Sequence, residues 1–165
     1  MRSWSERPRE VAYLLNPGFC SLLLWSAASG YKKTDSDGLP FALSFLILPV
    51  VLHKSTREAL PRSINSNFPE WIQKNDGVRL QFPERARVMS SITREGMLFG
   101  SQYGQFAIDS EGRIDPSPKP RSLAKYLKTA TEEVRHCETR AEFLGRWFAT
   151  AGDPATIMTL WGVRP

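Results

Sequence analysis

The side chains best suited to nucleophilic or metal chemistry are His53, His136, Cys20 and Cys137, and their spacing argues against both. A zinc or catalytic metal site needs three or four ligands in a compact pattern. The chain has no CxxC, no HExxH and no Asp-rich loop. His136 and Cys137 are adjacent, so on a helix they project about 100° apart and cannot form a base–nucleophile pair. Cys20 with His53 remains open as a small thiol hydrolase, without a motif to support it. Gly96, Gly100 and Gly104 lack the Lys-Ser/Thr that completes a phosphate loop, and read as hinge or packing glycines. The expectation is a protein that is not an enzyme and binds no cofactor or metal.

Anion recognition by arginine is the second chemistry on offer. The 165 residues carry 22 Lys and Arg against 17 Asp and Glu, a net charge of +5. Most of the excess lies between 78 and 128, where nine basic residues face five acidic ones. Pro83 can open a helix to about Gly100, and Tyr103 to Ile114 reads as a β-hairpin: Gln105 to Asp109 alternates, Glu111-Gly112 turns, and Arg113-Ile114 returns. Helix then hairpin is the order of a winged helix. On such a helix Val88, Met89, Ile92 and Phe99 share an apolar arc, with Arg87, Ser90, Ser91 and Arg94 opposite. Arg85, Arg87, Arg94, Arg113 and Arg121 are therefore candidate DNA-binding residues, with Thr93-Arg94-Glu95 facing a groove. The same residues read equally as a solvated helix face. Lys119, Arg121, Lys125 and Lys128 read as a solvated basic segment or a contact to an acidic partner.

A third cluster follows an apolar run, Leu39 to Leu52, which is too short and proline-broken to cross a bilayer. It reads as a central buried helix that Pro49 kinks or ends early. His53 and Arg57 come directly after it, one helical turn apart. They can cap the last carbonyls of that helix, where positive charge is favoured, or form the polar rim of a protein interface. With Trp4, Phe143, Trp147 and Trp161 they make up the candidate partner interface.

These residues need elements to position them. Asn16-Pro17 starts a helix to about Lys33, with Phe19, Leu22, Leu23 and Ser26 on one side. A short helix starts at Ser55 or Thr56, with Glu58 at capping-box spacing, and another at Asn67. Val78 to Gln81 reads as extended. From Leu123 helical periodicity returns: Val134, Cys137, Ala141, Leu144, Gly145, Phe148 and Ala151 share a face, and Glu142–Arg146 is a favourable pair. Phe143 and Trp147 widen that face to about half the circumference, so the helix is central or bound to another chain. Asp153-Pro154 begins the last helix. Nothing after the charged N-terminus resembles a signal peptide, so a cytoplasmic location is expected. The fold class is α+β, mostly helical: one compact domain over 1–165, with helices over 1–77, a winged-helix-like helix and hairpin over 78–121, and C-terminal helices over 122–165.

Several segments carry a family resemblance: Asn16-Pro17-x-Phe19; Leu48-Pro49-x-x-Leu52-His53-x-x-Thr56-Arg57-x-x-Leu60-Pro61; Arg140-Ala141-Glu142-Phe143-Leu144-Gly145-Arg146-Trp147-Phe148; and Trp161-Gly162-Val163-Arg164-Pro165. Together they resemble the middle component of bacterial three-component ABC systems. The resemblance implies a winged-helix-like adaptor between a coiled-coil, SMC-like ABC ATPase and a large effector, in defence against phage or plasmid DNA. It implies double-stranded DNA as a further contact and a homodimer as an option, with no membrane. The alternative is a stand-alone winged-helix DNA-binding regulator. On the adaptor reading, the chain holds more apolar surface than it can fold away alone.

Overall fold

Asn16 accepts a hydrogen bond from the Gly18 amide through its side chain, and Pro17 follows at a position with no amide to satisfy. That cap starts the helix around which the rest is built. The computed structural model describes residues 15–118 and 121–164, and of residues 121, 122 and 124 the backbone only. In chain order the elements are α1 (Pro17–Lys32), β1 (Leu39–Pro40), α2 (Phe41–Val51), α3 (Lys54–Ala59), α4 (Phe68–Lys74) and α5 (Asp76–Arg79). They continue with α6 (Phe82–Gln102), β2 (Phe106–Ile108), β3 (Arg113–Pro116), α7 (Arg121–Thr129), α8 (Glu132–Thr150) and α9 (Pro154–Leu160). The fold is α+β and mostly helical, with one small antiparallel sheet in the order β1-β3-β2. Leu39 pairs with Ile114, and Ile114 with Ile108.

α1 is buried nearly all round rather than on one side, because α8 lies along one flank and α6 along another. Small residues set both distances. A Cβ on Gly145 would lie 1.9 Å from the Ala27 carbonyl oxygen, and one on Gly30 would lie 2.1 Å from the Glu142 oxygen. On the α6 side, a Cβ on Gly96 would stand 3.1 Å from Cys20 Cβ. The glycines after α6 and in its last turn are therefore structural: Gly100 admits the Phe106 ring, and Gly104 turns the chain at φ 63°.

A second part of the core is aromatic. Phe68 and Trp71 of α4 pack edge-on to Trp147 at 4.8 and 5.1 Å. Phe82, at the start of α6, stacks on Trp161 at 4.2 Å. Offset and edge-to-face pairs of this kind add about 0.5–1.5 kcal/mol beyond their buried area. Trp147 donates its indole N–H to the Ser66 carbonyl, while Trp161 Nε1 is buried with no acceptor among the described residues.

Several expectations need correction. Leu39 to Leu52 is not one helix: Leu39–Pro40 is a strand against β3, because the Phe41 amide bonds to the Gly112 carbonyl of the hairpin. Val78 is not extended but lies in the α5 turn, and Gln81 (φ 60°) redirects the chain into α6. α3 starts at Lys54 with His53 at the N-cap, and no side chain caps it. The C-terminal periodicity is broken by Ala130 and restarted at Thr131, whose hydroxyl accepts from the Val134 amide, giving α7 and α8. Glu142 pairs with Lys33 at 2.6 Å instead of Arg146, since the close α1–α8 approach brings that lysine within reach.

Candidate interaction surface

The structure does not gather the candidate reactive groups. Cys20 is fully buried in the α1–α6 seam, whereas His53 is exposed at the start of α3. Cys137 is buried too, and burial pushes its thiol up, away from the reactive thiolate. Among the described residues no three His, Cys, Asp or Glu side chains stand close enough to hold a metal ion. A shallow pocket of about 320 Å³ beside Trp25 is edged by Lys32, Lys33 and Glu142. Its lysines are already paired, Lys32 with Asp115 and Lys33 with Glu142.

Two arginines from the candidate sets turn inward and close one helix end. Pro49 sits inside α2, and the last carbonyls of that helix lack helical partners. Arg57, 1% exposed, donates Nη1 to the Val51 carbonyl at 2.7 Å and Nη2 to the Glu133 carboxylate. Arg85 donates Nε to the Pro49 carbonyl at 3.1 Å and Nη2 to Thr56 Oγ1 at 3.1 Å. With that guanidinium hydrogen accepted, the Thr56 hydroxyl is free to donate to His53 Nδ1, 2.8 Å away. Burial lowers the Arg85 pKa, and burial followed by the Arg85 charge lowers that of His53. Arg57 thus caps the buried helix and does not rim an interface. Arg85 serves the same end.

The remaining candidates divide in the same way. Trp147 and Trp161 are fully buried in the chain's own aromatic core, so they are not surface residues, while Phe143 is half-buried with Arg140 over its ring at 4.3 Å. Trp4 lies outside the described residues, and Arg121 is described by its backbone alone. Thr93 faces the core and bonds to the Met89 carbonyl, so it faces no groove. Arg113 is half-buried; it donates to the Gly38 carbonyl at 3.4 Å, and its charge acts on Tyr31.

Only Arg87 and Arg94 of the five stand exposed with described side chains. Arg87 is engaged by Glu84 through two hydrogen bonds, at 2.6 and 2.9 Å. Arg94 lies over the Phe45 ring at 5.7 Å. Beside them the outward face of α6 carries Val88, 58% exposed, and Leu98, 67% exposed. Val88 was expected inside. The helix turns Phe82, Ala86, Thr93, Gly96, Met97 and Gly100 inward instead, Gly96 against α1 and Gly100 against Phe106, and leaves Val88 and Leu98 outside. Hydrophobic periodicity misses the part of that face made of glycine and threonine. Exposed aliphatics on an otherwise polar helix could have flagged it.

A family model described as ABC-three component (ABC-3C) system Middle Component 3 matches residues 4–165. The chain belongs to that family. No curated protein and no solved structure matches it. The middle component is one part of a system with further components, which fits a chain whose reactive side chains are scattered and whose exposed features are apolar. No helix among its described residues is long and apolar enough to cross a membrane.

Proposed function

We propose that this middle component is a non-catalytic adaptor, holding a coiled-coil, SMC-like ABC ATPase and a large effector together in a complex directed at phage or plasmid DNA. The observation that carries the reading is the outward face of α6. A helix that reads the major groove needs cations free to meet phosphate and base edges. Here Arg85 is spent inside, Arg87 is matched by Glu84, and Arg94 shares its face with Glu95. The face is charge-balanced and apolar, which suits a protein partner better than a polyanion. The other components, in this reading, supply ATP hydrolysis and any nuclease activity. Co-expression of all three tests it: the chain should co-migrate with ATPase or effector in about 0.5 M salt, because apolar docking is not screened. Migration alone with both partners present would overturn the proposal.

A stand-alone winged-helix DNA-binding regulator is the second reading, favoured by topology: a helix runs directly into a hairpin, in a sheet ordered β1-β3-β2. It predicts that Arg87→Ala and Arg94→Ala each weaken duplex binding and reduce the salt slope by about one. An isolated protein with no salt-sensitive affinity for duplex DNA removes it.

A further inference from the structure

No further inference is drawn: the strongest candidate, the outward face of α6 where Val88 and Leu98 stand exposed on the same helix as Arg94 and Glu95, is charge-balanced, and nothing in the structure shows what covers it.

Discussion

The seam between α1 and α8 and the outward face of α6 use apolar residues in opposite ways. In the seam Gly30 and Gly145 let one backbone touch another, and the large side chains of α1 are covered almost completely. On the outward face of α6, Val88 and Leu98 are left facing out. Both regions are rich in apolar residues, so hydrophobic content does not separate core from interface. What separates them is where the small residues lie. Glycine facing a neighbouring backbone marks contact already made within the chain, and an aliphatic on the far side of the helix marks contact still to be made.

The seam can be broken by a single methyl group. Gly145→Ala puts a Cβ where the Ala27 carbonyl oxygen stands, and backbone lies on both sides, so neither partner can swing away. The expected cost is about 3 kcal/mol or more, the upper end for overpacking, against a total stability of about 5–15 kcal/mol. Gly77→Ala is the matched control, since nothing lies within 4 Å of its Cβ. Urea unfolding of both variants should show a large loss for the first and none for the second.

The arginine cap on α2 comes next in size. Arg57→Met keeps the volume but leaves the buried Val51 carbonyl only the weak thiol donor of Cys137, which should cost about 1–3 kcal/mol. Its ion-pair partner Glu133 is mostly exposed, so Glu133→Gln should cost under about 1 kcal/mol. Equal losses for the two would mean that the charge pair, and not the carbonyl cap, holds this end of the helix.

The same contrast explains what the sequence made legible. Caps and breaks were readable because their chemistry is local: Asn16-Pro17, Asn67 and Asp153-Pro154 each start a helix where expected. The hairpin and the capping alternative for Arg57 were readable for the same reason. The apolar excess was misjudged. Most of Leu39 to Leu52 is covered within the chain, and so are Trp147, Phe148, Ile157, Met158 and Trp161 between Phe143 and Trp161, so these apolar side chains expected at an interface form the core. Pairing between distant segments decides that, and periodicity along one helix carries no trace of it. Val88 shows the limit within a single element, because the buried stripe of α6 includes Thr93, Gly96 and Gly100, which hydropathy ignores.

Polar substitution sharpens the α6 side of the comparison. Leu98→Glu and Val88→Glu alter side chains that make little contact within the chain, so stability should stay within about 0.5 kcal/mol of the parent. Leu98→Glu should nonetheless abolish recovery with the other components. A Leu98→Glu protein that unfolds in less urea than the parent would place this residue in the core instead.

The smallest effect concerns the link between the two regions, where His53 meets Thr56 and Arg85 at the end of α2. His53 titrates below its ordinary value, first because burial disfavours its charged form and second because Arg85 lies near. The unfolded chain therefore binds a proton more readily than the folded one just below pH about 6.5, the ordinary value for histidine. Stability rises with pH wherever the unfolded state holds more protons. The contribution is complete above about pH 6.5, and it falls away as the pH drops through that value toward the lower folded one. Protonation at Nδ1 would also give the Thr56 hydroxyl two donors and take away its acceptor. Exposure of the ring to solvent keeps the effect small. The urea midpoint, followed between pH 7.5 and pH 5, should therefore decline slightly more in the parent than in His53→Gln, whose side chain does not titrate. Parallel profiles for the two proteins would show that the Arg85–Thr56–His53 chain does not couple the arginine cap to pH.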